Sequence, residues 1–274
     1  MQTNVKCFKP RHIIGTGNLR VTGFILCYDG HPVRYASWSS WMAKWPAKPS
    51  SPAIPSSPDR RARDEGSGRD DVGATVASPR VLDRAELPVD TAQLARFLIG
   101  KMLVRVLADG VAVGRIVETE AYTIDDAASH AYRGMTPRNR ALFLERGHAY
   151  VYIAYGTSFM LNVSSETAGV GAGVLIRAIE PVDGIAIMQR NRGVERVRDL
   201  ARGPGRLCTA LDINRQLDGI DLCQPGPLWL GSDPQGAGDI GHSTRIGITR
   251  AADSPLRFYV RGNGFVSGPK ALNR

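Results

Sequence analysis

This 274-residue chain contains few cysteines and no long apolar runs, and lysine is scarce in its C-terminal two thirds. Its four cysteines form no CxxC pair and are too few for a disulfide or zinc framework, so we expect reduced thiols and a cytoplasmic location. No run approaches the roughly 20 apolar residues of a membrane helix, which excludes a helical membrane protein. Residues 81–274 contain only Lys101 and Lys270 beside 21 arginines, so an amine nucleophile is not expected.

The basic charge is concentrated near the N-terminus. The formal net charge is +9, and residues 1–80 carry 12 basic and 6 acidic side chains, whereas residues 81–274 carry 23 and 20. A basic excess favours an anionic partner, nucleic acid first. Because residues 81–274 account for only a third of it, we expect their phosphate contacts to come from a local arginine face, with a modest salt dependence.

Residues 1–80 also differ in composition from the rest of the chain. A proline at every third position and then a charged, Gly/Ser-containing run occupy residues 46–71, which is typical of a polyproline II spacer or a disordered linker. Three of the four tryptophans precede it at helical spacing and would suit a docking helix, but Gly, Pro and Ser interrupt every candidate element. We therefore interpret residues 1–80 as a disordered or non-native extension and residues 82–274 as one folded domain.

The domain is predicted to be α+β, with helices around a curved sheet that is mixed or antiparallel. Asp90 or Thr91 can cap a helix that ends before Gly100. Further helices are predicted over residues 137–145, 182–192 and 204–211. Alternating or continuous apolar runs predict strands at 102–107, 111–122, 148–155, 158–165, 173–180, 227–230, 244–249 and 257–260.

Two carboxylates stand together in the second of these strands. Glu118, Glu120 and Tyr122 share one strand face, because strand side chains alternate. An unpaired buried charge costs several kcal/mol. The pair is therefore expected either to line a cleft or to face solvent.

The segment that follows combines a histidine with arginines. His130 lies in a polar turn, where a lone histidine is more often structural or solvated than functional, but this one is close in sequence to acids and arginines. Thr136 and Pro137 open the predicted helix, and free N–H groups at a helix N-terminus beside arginines are typical of a phosphate site. The candidate phosphate ligands here are Arg133, Thr136, Arg138 and Arg140.

Residues 148–165 are predicted to form a β-hairpin that turns near Gly156. Tyr150 and Tyr152 share one strand face, and Tyr155 stands at the turn. A tyrosine at an exposed hairpin tip is well placed to enter a base stack. Packing on the sheet is the alternative for each of these tyrosines.

Taken together, the motifs of residues 82–268 resemble those of the alkyladenine (3-methyladenine) DNA glycosylase family. The resemblance implies a base-excision repair hydrolase that flips an alkylated or deaminated purine out of double-stranded DNA and leaves an abasic site. It further implies a hairpin that enters the DNA, a monomer without cofactor, metal or membrane contact, and association with the nucleoid if the organism is bacterial. It rests on ETEAY, ASHAYRG, TPRNRALF, YVYIAYG, LNVSS, VLIRAIEP, GPGRLCTAL and RFYVRGN.

The resemblance also implies roles for single residues. Glu120 corresponds to the general base that activates water, and Tyr155 to the wedge that fills the gap in the duplex. Because this chemistry requires only one acid, Glu118 is expected to be a structural or orienting neighbour. Because neither lysine lies in a site motif, the enzyme is expected to be monofunctional, without strand cleavage. The base pocket would be formed by Tyr122, His130, Tyr152, Asn162 and Arg177, and Gly205 and Arg206 would join the phosphate contacts.

Other interpretations remain open from the residues alone. Glu118 and Glu120, roughly 7 Å apart as strand neighbours, would suit the acid–base pair of a glycoside or nucleoside hydrolase. A noncatalytic nucleic-acid-binding protein would use the arginines and tyrosines only. The loop at 123–129 is about one residue shorter than is usual in the family, and the lesion preference among 3-methyladenine, 7-methylguanine, hypoxanthine and ethenoadenine stays open.

Overall fold

The structure, a computed structural model, describes residues 25–28, 31–34, 79–233, 236–269, 271 and 273. The chain divides into two compact units, residues 1–71 and 72–274. In the first unit, β1 (Ile25–Tyr28) pairs with β2 (His31–Arg34) in an antiparallel hairpin. The predictions for the tryptophans and the proline-rich segment lie outside the described residues.

The second unit is built around one curled sheet of eight strands. Every pairing in it is antiparallel. Of the two predicted sheet types, the antiparallel one is therefore confirmed. The order is β5-β6-β7-β4-β10-β9, and β3 pairs with both β4 and β8. The strands are β3 (Met102–Leu107), β4 (Gly110–Tyr122), β5 (Ala149–Ala154), β6 (Ser158–Ser164), β7 (Gly173–Asp183), β8 (Leu228–Gly231), β9 (Ile240–Ser243) and β10 (Arg257–Val260).

Strand β4 is the centre of this sheet. Its first half pairs with β3 and its second half, from Glu118 to Glu120, pairs with β10, while β7 follows its other edge. The register against β7 shifts between Ile116 and Thr119, and such irregularities bend a strand and increase its twist. The curl therefore lies at the two glutamates that the sequence singled out.

Three helices accompany the sheet: α1 (Thr91–Leu98), α2 (Ile185–Arg192) and α3 (Pro204–Ala210). The predicted cap of α1 is confirmed, since the Asp90 side chain accepts a hydrogen bond from the Gln93 backbone N–H at 2.8 Å. Leu94 and Leu98 are fully buried in the main apolar core. Among the described residues, no helix is both long and apolar enough to cross a membrane.

The helix predicted at 137–145 is wrong. Only a single 3-10 turn, Arg140–Phe143, forms there, and Asn139 provides no side-chain cap for it. The Asn139 amide is used elsewhere: its Oδ1 accepts from the Thr136 N–H at 2.6 Å, and its Nδ2 donates to the His130 carbonyl at 2.8 Å. A compact loop organised by one buried asparagine thus replaces the helix, and the helix N-terminus proposed for phosphate binding is absent from the described residues.

The strand predicted at 244–249 is also wrong. The last strand but one is β9, at Ile240–Ser243, and the following residues are irregular. Their backbone is used for side-chain contacts, because the Ile246 N–H donates to the Glu120 carboxylate at 2.8 Å. Ile246 and Ile248, which give this segment its apolar alternation, line a cavity in the domain.

Candidate active site

A cavity of about 510 Å³ opens in the second unit, between the end of β4, the β5–β6 hairpin and the segment after β9. This volume is typical of pockets for small organic groups. Its lining residues are Tyr122, Ala128, Ser129, His130, Arg138, Leu142, Tyr150, Tyr152, Ile153, Ala154, Tyr155, Met160, Asn162, Gly173, Leu175, Arg177, Pro204, Ile246, Gly247 and Ile248.

Glu120 is fully buried directly beneath this cavity. Its Oε1 accepts from the Ile246 N–H at 2.8 Å and lies 3.2 Å from Arg177 Nη1, and its Oε2 accepts from the Tyr122 hydroxyl at 3.0 Å. All three donor residues line the cavity. The carboxylate is therefore fixed in orientation by three residues that line the cavity.

Glu118, two residues earlier, is also fully buried and, like Glu120, is not itself a lining residue of the cavity. Its Oε1 accepts from Arg177 Nε at 3.0 Å and from Arg257 Nε at 2.7 Å, and its Oε2 accepts from the Ser267 N–H at 2.7 Å. Burial opposes ionisation, but the two guanidinium groups outweigh it and lower the pKa of Glu118 below its ordinary value. An ionised carboxylate has no proton to donate, which argues against Glu118 as the acid of an acid–base pair.

Arg177 connects the two carboxylates. It lies on β7, is almost completely buried, and contacts Glu118 through Nε and Glu120 through Nη1. Burial alone would favour loss of its proton, but Glu120 and Glu118 outweigh burial and raise the pKa of Arg177. The site therefore holds a permanent cation between two acids at the cavity floor, where Asn162 of the neighbouring β6 also lies.

Aromatic rings form one wall of the cavity. The rings of Tyr150 and Tyr152 stack at 5.4 Å, and the His130 ring packs edge-on against Tyr152 at 4.3 Å. His130 Nδ1 lies 2.9 Å from the Tyr150 hydroxyl. Tyr150 was not among the predicted site residues, although strand alternation places it on the same face as Tyr152.

These polar aromatic groups are uncharged near neutral pH. Burial, with a smaller contribution from Arg138, lowers the pKa of His130 below its ordinary value. Burial also raises the pKa of Tyr150 and of Tyr152 to about 12, and the pKa of Tyr122 rises because of burial and the adjacent Glu120. The wall is therefore electron-rich and neutral beside the charged floor.

The β5–β6 hairpin carries the most exposed apolar side chain recorded in the described residues. Tyr155 is 89% exposed at the tip, and Ile153 next to it is 41% exposed. Tyr155 and Gly156 have φ of +52° and +71°, and the Thr157 N–H donates to the Ala154 carbonyl at 3.1 Å. Positive φ at both central residues is typical of type I′ hairpin turns, and for a tyrosine it is uncommon. The turn thus presents the Tyr155 ring to solvent at the cavity rim.

Of the candidate phosphate ligands, only Arg138 borders the cavity. Arg138 lines the cavity and donates to the Ile153 carbonyl at 3.3 Å. Gly205, in the first turn of α3, lies close to Ser158 of the β5–β6 hairpin: a Cβ added to Gly205 would be only 3.0 Å from Ser158 Cβ. The exposed members of the set are Arg133, Thr136, Arg138, Arg140 and Arg206.

A cavity walled by neutral aromatic rings, with a buried carboxylate bound to its lining residues and an exposed tyrosine at its rim, is typical of an enzyme that receives a flat aromatic group. A carboxylate in such a position suits hydrolysis with a single acid or base.

Comparison with known proteins identifies the family. Residues 85–264 match the family model of methylpurine-DNA glycosylases. A relative from Mesorhizobium japonicum, provisionally named as a 3-methyladenine DNA glycosylase, is 71% identical over 189 residues, which cover 69% of this chain and 91% of the relative. Relatives with the same provisional name from Paraburkholderia phytofirmans and Methanoculleus marisnigri are 51% and 46% identical, covering 69% and 65% of this chain and 89% and 94% of the relatives.

The chain belongs to the methylpurine-DNA glycosylase family. It is a DNA glycosylase of base-excision repair, a hydrolase of N-glycosyl bonds. The resemblance predicted from the motifs is confirmed, and a noncatalytic nucleic-acid-binding protein no longer fits the chain.

Proposed function

We propose that this chain releases alkylated or deaminated purines from double-stranded DNA with Glu120 as the general base. The observation that carries the proposal is the buried Glu120 carboxylate, held by Ile246, Arg177 and Tyr122, all three of which line the aromatic cavity. A water between this carboxylate and the sugar would lose a proton to it and attack the anomeric carbon. The carboxylate would also stabilise the oxocarbenium-like transition state.

The aromatic wall supports the proposed substrate class. Tyr122, His130 and Tyr152 would enclose the extruded purine, and Asn162 and Arg177 would contact it from the floor. Alkylation at a ring nitrogen makes a purine cationic, and each aromatic contact to a cation contributes about 0.5–2 kcal/mol. The same charge makes the base a better leaving group, so binding and chemistry would favour the same lesions.

The exposed hairpin supports a duplex substrate. Flipping a base costs a few kcal/mol, and the Tyr155 ring would offset part of this by filling the gap in the stack. Arg133, Arg138, Arg140 and Arg206, with Thr136 and the backbone at Gly205, would contact phosphates around the extruded nucleotide.

The proposed reaction is monofunctional. In residues 81–274 the two lysines are Lys101 and Lys270, and Lys101 lies over the Phe97 ring of α1, which does not border the cavity. A Schiff base with the abasic sugar would need an amine in the site, so hydrolysis is expected to leave the strand intact. We further propose that the protein acts as a monomer, on the nucleoid in the cytoplasm.

The test is base release from duplexes that each carry one lesion: 3-methyladenine, 7-methylguanine, hypoxanthine or ethenoadenine. Wild-type full-length protein is expected to release at least one of these bases, and Glu120→Gln to lower the single-turnover rate at least about 100-fold while still binding the duplex. The exposed Glu195→Gln serves as the matched control and is expected to behave like the wild type. Full activity of Glu120→Gln would refute the assigned base, and no release by the wild type would refute the function.

A further inference from the structure

A buried ion pair lies behind the aromatic wall of the cavity. The guanidinium carbon of Arg245 lies 4.7 Å from the centroid of the Tyr122 ring, and the Arg245 side chain is fully buried. Tyr122 lines the cavity, whereas Arg245 does not. The cation therefore lies over one face of the Tyr122 ring, and of the two residues only Tyr122 borders the cavity.

Arg245 is held there by contacts from three segments. Its guanidinium forms an ion pair with Asp126, including an Nη2–Oδ1 contact of 3.2 Å, and donates to the carbonyls of Ala121 at 2.9 Å and Ala251 at 3.1 Å. Within the described residues, its Nε is a buried nitrogen with no hydrogen-bond acceptor. These contacts keep one positive charge over the Tyr122 ring and pair it with the carboxylate of Asp126.

The position of this charge affects what the other ring face can bind. A cation on one face draws π-electron density towards itself and repels a second cation across the ring. In a buried site this repulsion is weakly screened. Asp126 opposes the effect, because its carboxylate cancels part of the Arg245 charge.

We propose that the Asp126–Arg245 pair sets how strongly the pocket prefers a cationic N-alkylated purine over a neutral deaminated one. The proposal rests on the proposed function, in which Tyr122 stacks on the extruded base. Asp126 and Arg245 are positioning residues here: they act on the base through the Tyr122 ring. The balance of the two charges, rather than a contact to the base, would set the selectivity.

The experiment measures single-turnover release of 7-methylguanine, a cation, and of hypoxanthine, a neutral base, from duplexes of identical sequence. The readout is the ratio of the two rates. Arg245→Met removes the cation and is expected to raise the ratio of cationic to neutral release at least about threefold, which corresponds to the lower range of one cation–π contact. Asp126→Asn leaves the cation uncompensated and is expected to lower the ratio by a similar factor. The double variant, with neither charge, should lie above the wild type.

The two single variants are expected to change the ratio in opposite directions, which distinguishes an electrostatic role of the pair from a structural one. Damage to the fold would slow both releases together and leave the ratio unchanged, and that result in the two single variants would overturn the proposal. If Arg245→Met does not fold, the nearly isosteric Asp126→Asn still tests it through the sign of its change. Arg115→Met is the matched control, because Arg115 pairs with Asp233 at 2.7 Å and does not line the cavity; its ratio should equal that of the wild type.

The same measurements distinguish this proposal from the proposed function. If the wild type releases neither base from any duplex of the panel, the proposed function fails. If it releases both bases and no variant changes the ratio, only the role of the ion pair fails.

Discussion

Two regions of the domain differ in what they bury. In the central strands β4, β7 and β10, charged groups are enclosed: Glu118, Glu120 and Arg257 are all fully buried. On the side of the β5–β6 hairpin the reverse holds, since Tyr155 is 89% exposed and Ile153 is 41% exposed. Each side departs from the ordinary distribution of residues, in which charges are exposed and large apolar groups are buried.

The difference separates two tasks. Buried charges are costly unless each has a partner, so the ion pairs of the central strands hold their groups in one geometry, which suits a reaction centre. Covering an exposed apolar ring carries no such desolvation cost. The hairpin can therefore gain free energy by burying the Tyr155 ring against a partner. The charged side would therefore control stability and chemistry, and the hairpin would control binding.

The largest effect is expected from Glu118→Gln, which leaves Arg257 and Arg177 without their shared carboxylate. Breaking a buried ion pair from one side costs about 3–5 kcal/mol, so the free energy of unfolding in denaturant should fall by that amount. Asp109→Asn, in the exposed pair with Arg190, is the control and should change stability by less than about 1 kcal/mol. Equal effects of the two substitutions would mean that the buried network does not stabilise the domain.

A smaller effect, on binding alone, is expected from Tyr155→Ala. Its loss should weaken binding to a lesion duplex about tenfold, because one stacked aromatic contributes about 1–3 kcal/mol, and should leave unfolding nearly unchanged. Binding to a single strand, which has no stack to fill, should weaken less. Tyr155→Phe keeps the ring and is expected to bind like the wild type. Equal losses on both kinds of DNA would contradict the wedge role.

The smallest effect is a pH dependence of stability. The pKa of Glu118 is lower in the folded protein than its ordinary value of 4.5, so the folded state holds this proton less tightly than the unfolded state. Its stabilisation is complete above the ordinary value and is lost as the pH falls through the lowered folded-state value. Denaturant unfolding between pH 7 and pH 3 should show a constant difference between wild type and Glu118→Gln above about pH 5 and a decreasing one below. A difference that does not change in acid would show that Glu118 is not the titrating group.

Much of the sheet follows from local patterns. The bounds predicted for β3 and β10 are those of the structure, because each is a short apolar run that is paired along its length. The failed helix at 137–145 and the failed strand at 244–249 have different causes. In the first segment a local partner overruled propensity, because the Asn139 amide bonds the His130 carbonyl nine residues away. In the second a distant one did, because the Ile246 N–H bonds the Glu120 carboxylate 126 residues away.

By itself, the sequence determined the family, the α+β class and the candidate base, since these depend on ordered motifs and on alternation within single strands. Only the tertiary structure decided that Glu120 is bound by residues that line the cavity, whereas Glu118 is shared between Arg177 and Arg257. Arg257 and Ile246 are 139 and 126 residues away from the glutamates they bind. The environment of a charge depends on groups that folding brings together, and local periodicity carries no information about partners that distant in the chain.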